Sequence, residues 1–306
     1  MLVMIGAVTD STLSTFTASD GENIALQDWP LPDGAPLRGA VIIVHGLGEH
    51  AGRHDALARR LNRWGFAVRG YDQYGHGESG GGRGRLPTPE RLLDDLADIV
   101  ESTCLRMPAQ APLILLGHSM GGLVAARLVS QGRCPVDALV LSSPLLDPRL
   151  SPLQKLLLAA LPRLLPNLTV SNGVDPAFIS RDPAVVEAYR QDPRVHDRIS
   201  VRLGRFIAEA ARATLARAPA WNVPTLLLYA GADRLVDPAG SRAFAAVAPP
   251  MVVTARCFSD CFHELFLEPD PEPVYAVLRQ WLDARFSSPA RPAPRPSAPL
   301  AAASRS

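Results

Sequence analysis

The chain has 306 residues, of which 47% are apolar and 20% charged, and its formal net charge is +1. This composition excludes a disordered chain, which would have fewer apolar residues and a larger charge imbalance. Because 31 basic residues are nearly matched by 30 acidic ones, no nucleic-acid partner is expected. The four cysteines are too scattered for a disulfide scaffold or a zinc site, and we predict no metal and no cofactor.

Both ends of the chain differ in composition from the middle. Residues 1–19 are polar and rich in Ser and Thr, which predicts a frayed N-terminal arm. Residues 287–306 are rich in Pro, Ala and Ser and are predicted to be a disordered tail, because they cannot bury a core. The N-terminus lacks the basic and apolar regions of a signal peptide, and no apolar run approaches the roughly 18–20 residues of a membrane span. A cytoplasmic protein is the simplest expectation.

From about Ile24 onwards, short apolar runs alternate with longer amphipathic ones. The amphipathic runs near 54–64, 89–107 and 123–129 predict helices. The apolar runs predict strands at 40–44, 66–71, 113–116, 138–141, 225–229 and 251–257. Continuous apolar strands separated by helices indicate an α/β fold, in which a mostly parallel central sheet carries helices on both faces.

One long segment interrupts this alternation. Between Pro144 and about Pro219 the sequence shows helix signals and no convincing strand. Helices are predicted at 151–161, where Ser151 is a suitable N-cap, from Asp182 onwards, and at 199–218. We therefore predict a helical cap at 148–220, inserted between two parts of one α/β core at 20–147 and 221–286.

The segment Gly117–Gly121 has the sequence GHSMG and fits the pattern G-x-S-x-G. An apolar strand precedes it and a helix follows it, which is the context in which such a serine stands on a strained turn as a nucleophile. The plainer alternative is a strand-to-helix turn in which Ser119 caps the helix. A phosphate-binding loop is disfavoured because the chain has no G-x-x-x-x-G-K-[ST].

Acyl transfer needs two N–H donors directed at the oxyanion of the tetrahedral intermediate. The amide of Met120, the residue after the predicted nucleophile, is one candidate. The segment HGLG at 45–48 follows the first apolar strand, and its glycines would let the Leu47 amide face the site. The alternative for this segment is an ordinary glycine turn.

A histidine base is expected after the nucleophile in the chain. In enzymes whose serine nucleophile stands on a G-x-S-x-G turn, the catalytic residues follow the order Ser, Asp or Glu, His along the chain. Four of the seven histidines precede Ser119, His118 lies inside the turn, and His196 lies in the predicted cap. His263 is left, and it follows the last predicted strand. For the acid, Asp233 follows the strand at 225–229 and is favoured over Asp237 and Asp260. Asp237 is explained as a helix N-cap, and Asp260 would require the histidine loop to fold back on itself.

With these residues in place, the chain resembles the monoacylglycerol lipase and lysophospholipase branch of the α/β-hydrolases over about residues 20–285. The resemblance implies a catalytic triad of Ser119, Asp233 and His263 with Leu47 and Met120 as oxyanion donors. It is carried by HGLGEHAGRHD at 45–55, YDQYGHGESGG at 71–81, GHSMGG at 117–122, LVLSSPLL at 139–146, GADRLVD at 231–237 and HELFLE at 263–268.

Two further residues are predicted from the resemblance to contact the substrate. Arg53 matches a family position near the alcohol side of the pocket, although a surface helix charge explains it equally well. Several family members carry a second histidine three residues after the catalytic one, and here that residue is Phe266. This difference points to a leaving alcohol less polar than glycerol.

Leucines recur at helical spacing in the predicted cap. They are Leu150, Leu153, Leu157, Leu161 and Leu164. One interpretation is a lid helix that guides an acyl chain and makes transient contact with a membrane surface. The commoner use of such a stripe is packing on the core.

Together these observations predict a serine hydrolase that cleaves carboxylic esters of monoacyl lipids through an acyl-enzyme on Ser119, with a small lipid or ester as its partner. A general carboxylesterase or an aminopeptidase or amidase would use the same triad. A non-catalytic ligand receptor on the same fold is a further alternative, disfavoured because all three triad residues are present.

Overall fold

The computed structural model describes residues 10–149, 151, 154, 158 and 164–286. The strands within these residues are β1 (Thr12–Thr17), β2 (Asn23–Trp29), β3 (Gly39–Val44), β4 (Phe66–Tyr71), β5 (Leu113–His118), β6 (Ala138–Ser142), β7 (Thr169–Ser171), β8 (Arg198–Ser200), β9 (Thr225–Ala230) and β10 (Val253–Phe258). The helices are α1 (Asp55–Arg63), α2 (Arg91–Cys104), α3 (Ser119–Gln131), α4 (Pro183–Gln191), α5 (Val201–Arg217), α6 (Pro238–Val247) and α7 (Glu272–Arg285).

One eight-stranded sheet forms the centre of the molecule, in the order β1-β2-β4-β3-β5-β6-β9-β10. The strands from β4 to β10 in this order are parallel, and β2 pairs antiparallel with both β1 and β4. The predicted mostly parallel sheet is thereby confirmed. In a sheet of this type, the loops at the carboxyl ends of neighbouring strands meet along one edge.

The two faces of the sheet are covered by different helices. In the fully buried strand β3, Ile42 and Val44 belong to one apolar cluster with residues of α2, α3 and α5. The alternate residues Val41 and Ile43 belong to a second cluster with residues of α1 and α7. Because side chains alternate across a strand, a continuous apolar run supplies both cores at once. The predicted helices on both faces are confirmed.

The N-terminal segment is more ordered than its composition suggests. The prediction of a frayed arm over 1–19 is wrong for β1, which pairs with β2 along its whole length, from Thr12 opposite Asp28 to Thr17 opposite Asn23. The first nine residues lie outside the described part of the chain. Threonine is β-branched and favours extended backbone, so main-chain hydrogen bonds to β2 order this segment without a strong apolar pattern.

The cap is not purely helical. β7 and β8 form a separate antiparallel pair, with Thr169 opposite Ser200 and Ser171 opposite Arg198, so the expectation of an insertion without strands is wrong. Strands of three residues are too short to produce a recognisable alternation, and each depends on a distant partner.

The two later cap helices agree with the sequence. α4 begins after Asp182, whose side chain accepts from the Ala184 N–H, and α5 begins after Ser200, which accepts from the Leu203 N–H. α5 packs against α3 of the core. Three predicted features lie mostly outside the described residues. They are the helix at 151–161, the leucine stripe, of which only Leu164 is described, and the tail at 287–306. Among the helices that are described, none is long and apolar enough to cross a membrane.

We predict that Ile42→Ala lowers the free energy of unfolding by about 2–5 kcal/mol, because it leaves a cavity in the centre of the sheet. Ile42 is fully buried. Chemical denaturation should measure the loss. Leu105→Ala is the matched control, because Leu105 is 81% exposed, and its change should stay within about 0.5 kcal/mol. Equal effects of the two substitutions would contradict the described core.

Candidate active site

Ser119 stands on a strained turn at the carboxyl edge of the sheet. It lies between the last residue of β5 and the rest of α3, and its φ of 53° places it in the left-handed region. A non-glycine residue adopts this conformation only where its surroundings impose it, and such residues cluster at functional sites. The structure therefore has the geometry expected of the sequence pattern G-x-S-x-G, with the serine at the start of a helix.

Small residues around Ser119 allow the turn to close. A Cβ atom added at Gly121 would overlap the carbonyl oxygens of Val44 and His45. A Cβ at Gly117 would lie 2.6 Å from the Gly121 carbonyl oxygen, closer than any real contact of this kind. These glycines let the start of α3 pack directly on the end of β3.

Asp233 and His263 meet although thirty residues separate them. The Nδ1 atom of His263 lies 2.6 Å from Asp233 Oδ2, and both residues are buried. The second oxygen, Asp233 Oδ1, accepts from the N–H groups of Leu235 and Val236, both at 2.9 Å. The carboxylate is thus fixed at both oxygens, and a proton on His263 Nδ1 leaves Nε2 as the acceptor.

The other two candidate acids have different positions. Asp237 caps α6 by accepting from the Ala239 N–H at 2.8 Å and pairs with Arg149 at 2.7 Å, which agrees with its predicted role as an N-cap. Asp260 is exposed. Of the three, the structure brings Asp233 to the imidazole.

The environment of His263 changes its acid strength. Burial alone lowers the pKa of His263, but the charge of Asp233 and its hydrogen bond outweigh burial and raise that pKa above its ordinary value. The ring of His118 lies 4.7 Å from the ring of His263. Burial, followed by the charge of His263, holds the pKa of His118 well below its ordinary range, so His118 stays neutral even when His263 is protonated.

The residues at positions 45–50, which we call the β3 loop, pass directly beside Ser119. A Cβ atom at Gly46 would lie 3.2 Å from the Ser119 Cβ. The Gly46 N–H donates to Glu49 Oε1 at 2.5 Å. Within the described residues, the backbone N–H groups of Leu47 and Met120 donate to no protein acceptor. Two free N–H groups near a serine at a helix N-terminus are suited to stabilise developing negative charge.

The β3 loop is supported from below by a residue that the sequence analysis missed. Gln73 donates its backbone N–H to His45 Nε2 at 2.9 Å and its side-chain amide to the His45 carbonyl at 2.6 Å. The segment around Gln73 was noted as a motif, but nothing local in it indicates contact with residue 45. The parallel pairing of β3 with β4 brings the two strand ends together.

A cavity of about 410 Å³ opens above these residues. Ser119 and His263 both line it, as do Gly46 and Leu47 of the β3 loop. Its walls are mainly apolar and come largely from the cap and its flanks. They include Leu145, Leu158, Leu168, Val170, Val174, Ile179, Ile199, Val201, Ile207, Leu235 and Val236. Glu49, Tyr189 and Glu264 form part of a polar wall near the triad.

The two predicted substrate contacts do not line this cavity. Phe266 packs in the second core cluster, with its ring 5.2 Å from that of Tyr275. The Arg53 side chain is 9% exposed, lies between Glu49 and Glu264 and is hydrogen-bonded to both. Burial lowers the pKa of Arg53, but the charges of Glu264 and Glu49 raise it by more. The net pKa lies above its ordinary value, so the guanidinium is permanently charged. Substrate contact by Arg53 or Phe266 therefore stays a prediction.

The chain is similar to known proteins both in sequence and in structure. The model of a family described as "Serine aminopeptidase, S33" matches residues 35–270. An abhydrolase domain-containing protein of Dictyostelium discoideum is 32% identical over 91% of this chain, which spans only 30% of that relative. A monoacylglycerol lipase of Mycolicibacterium smegmatis is 32% identical over 88% of this chain and 95% of its own. The crystal structure of a Paleococcus ferrophilus monoacylglycerol lipase superposes with a TM-score of 0.75 at 33% identity, covering 90% of this chain and 99% of that one.

We predict that Asp233→Asn lowers the pKa of His263, because it removes the negative charge that offsets burial. NMR titration of the histidine rings would measure the change. His196 is a suitable internal reference, since burial lowers its pKa to about 4 and Asp233 is not among the causes. A His263 pKa that stays above 6.5 in the variant would contradict the described contact.

Proposed function

The chain belongs to the serine aminopeptidase S33 family of α/β-hydrolases, and on that premise we propose that it is a serine esterase acting on monoacyl lipids or similar esters with a long acyl chain. The observation that carries the proposal is the 2.6 Å contact between His263 and Asp233, on a cavity that the strained Ser119 also lines. A nucleophile, a base and an acid fixed by two backbone amides are the groups that acyl transfer requires.

The proposed reaction has two halves. His263 Nε2 accepts the proton of Ser119 Oγ as that oxygen attacks the ester carbonyl, and Asp233 stabilises the imidazolium that forms. The Leu47 and Met120 amides bind the oxyanion of the tetrahedral intermediate. His263 then donates its proton to the leaving alcohol, which yields an acyl-enzyme on Ser119. Water activated by His263 hydrolyses the acyl-enzyme and releases the acid.

The form of the cavity supports a substrate with one long apolar arm. An acyl chain gains its binding energy from apolar surface removed from water, and most of the cavity wall offers such surface. The polar wall at Glu49, Tyr189 and Glu264 suits the alcohol part of the ester. The relatives from Mycolicibacterium smegmatis and Paleococcus ferrophilus are named monoacylglycerol lipases, which agrees with a monoacyl lipid substrate.

The family description also names an aminopeptidase, which would cleave amides with the same triad. An aminopeptidase needs an acidic group to bind the free α-amino group of its substrate. Glu49 and Glu264 face the cavity, but the guanidinium of Arg53 already binds both. This pairing favours the esterase, and a comparison of p-nitrophenyl esters with aminoacyl p-nitroanilides tests the choice.

The described part of the cap favours transient contact with a lipid surface. Leu164, a member of the predicted leucine stripe, is 77% exposed, and Leu165, Leu168 and Val170 are each about half exposed. Four large apolar side chains exposed within one short segment are unusual on a soluble surface. We propose that this segment rests on lipid while the substrate enters.

Ser119→Ala should lower kcat for p-nitrophenyl esters by at least about 10⁴-fold, because no other group can form the acyl-enzyme. The wild type should also react covalently with a fluorophosphonate probe, and the variant should not. Circular dichroism and the melting temperature serve as the control for folding. Undiminished turnover in a folded variant would contradict the role of Ser119 as the nucleophile.

Ile207→Phe should shorten the range of acyl chains that the enzyme accepts. Ile207 lies on α5 and lines the cavity, so a larger side chain takes space from the acyl arm. We expect kcat/KM for p-nitrophenyl laurate to fall by about 10-fold or more relative to p-nitrophenyl butyrate. Glu209→Ala, at an exposed position of the same helix, is the control and should leave the ratio unchanged. An unchanged ratio in Ile207→Phe would refute the placement of the acyl chain beside this residue.

A further inference from the structure

A cluster of buried charges lies beside the proposed triad and takes no part in the reaction described above. Arg53 donates from Nη1 to Glu49 Oε2 and to Glu264 Oε1, both at 2.6 Å, and from Nη2 to Glu264 Oε2 at 2.8 Å. The side chains of all three residues are at most 9% exposed. Taking one guanidinium and two carboxylates out of water is costly, and an apolar cluster of the same volume would often be more stable.

Each carboxylate of this cluster belongs to a different loop of the site. Glu49 also accepts the N–H of Gly46 and so fixes the β3 loop just before Leu47. Glu264 directly follows His263 in the segment 259–264, which we call the β10 loop. The backbone N–H of Glu264 donates to the Ile179 carbonyl in the cap at 2.8 Å. Arg53 is therefore the link between the loop of the oxyanion donor and the loop of the base.

The guanidinium is enclosed from the cap side. Its carbon lies 4.7 Å from the centre of the Tyr189 ring, which is consistent with a cation–π contact. Tyr189, Glu49 and Glu264 line the cavity, whereas Arg53 does not. Arg53 therefore acts on the site through the two carboxylates that it binds and not by contact with the substrate.

We propose that Arg53 and Glu264 are positioning residues, whose buried ion pair holds the β3 loop and the β10 loop together and balances the carboxylate charge next to the imidazole of His263. The inference rests on the proposed function, since it assigns roles toward His263 as the base and Leu47 as an oxyanion donor. It concerns residues that the triad chemistry alone does not require.

The charge balance follows from the groups that face His263. They are Asp233 from the loop after β9, Glu264 from the β10 loop, Glu49 from the β3 loop and His118 at the end of β5. Around these lie Arg53 and His54, both before α1, and Tyr189 from the cap, which contact the two glutamates, His118 or each other. After burial and the effects of Asp233, the charges of Glu264 and Glu49 each raise the pKa of His263 further. A positive charge between those two carboxylates opposes this effect.

The two single variants should therefore act in opposite directions on the pH profile. His263 must be neutral to accept a proton, so the acidic limb of kcat/KM follows its pKa in the free enzyme. Glu264→Gln removes a carboxylate and should move this limb to lower pH. Arg53→Gln leaves two carboxylates without their cation and should move it to higher pH. Each shift should be about half a pH unit or more.

The test measures kcat/KM for the uncharged ester p-nitrophenyl butyrate against pH, together with the NMR titration of His263, in wild type, Glu264→Gln and Arg53→Gln. We also expect kcat to fall by about 10- to 100-fold in both variants, with a smaller change in KM, because the loops lose their link. Arg60→Gln is the matched control, since it breaks a more exposed ion pair with Glu272 from the last turn of α1, at the opposite end of the helix from Arg53. Its profile should match that of the wild type.

The outcomes separate this inference from the proposed function. Opposite shifts of the His263 titration in the two variants support the charge balance. A titration that does not move in Glu264→Gln overturns it, and this variant decides the question if Arg53→Gln fails to fold, because glutamine keeps the shape of the glutamate side chain. If the wild type hydrolyses no ester, the proposed function fails, and the NMR titration still tests the coupling between Glu264 and His263.

Discussion

The close packing of the 117–121 turn on the end of β3 is the contact on which the site depends. Gly121 lies so near the Val44 and His45 carbonyls that no side chain fits there, and Gly46 lies against Ser119 from the other side. The left-handed backbone at Ser119 is costly, and the surrounding sheet and helix impose it. This packing thus fixes the orientation of the serine and its position beside the β3 loop.

Burial determines the electrostatics of the site. In a region of low dielectric, each charge must be paired, and a change of one partner shifts the pKa of the others. Asp233 is paired with His263 and two amides, and Glu49 and Glu264 are paired with Arg53. The neutral His118 ring lies between these groups without adding a charge. The pKa of the His263 imidazole therefore depends on all of these buried groups and not on Asp233 alone.

The cap is attached to the catalytic loops as well as to the helices below it. The His196 backbone N–H donates to the Gly48 carbonyl, and Asp192 pairs with His50 at 2.8 Å, so the cap segment between α4 and β8 binds the β3 loop at two points. Ile179 accepts the Glu264 N–H of the β10 loop. The same insertion that supplies the apolar cavity wall therefore also holds the loops of the proposed oxyanion donor and base.

The sequence by itself determined the order and type of the core elements from β3 to β10 and the candidates for the triad. Apolar runs and glycine turns are local signals, because backbone geometry and the burial of a whole strand are written in consecutive residues. The order of Ser119, Asp233 and His263 along the chain then selected those three from many polar residues. The strands β1 and β2 and the pair β7–β8 were not predicted, because they are short or weakly patterned and are held by hydrogen bonds to partner strands.

Only the tertiary structure decided what the remaining charged residues do. Arg53 and Glu264 are separated by 211 positions, and no spacing rule relates them. The sequence left substrate contact and a surface helix charge open for Arg53, whereas the fold places it between two carboxylates beneath Tyr189. Phe266 is likewise a core residue, because the β10 loop turns it towards α7. Which groups pair in a buried site depends on distances across the sheet edge, and these exist only once the strands have assembled.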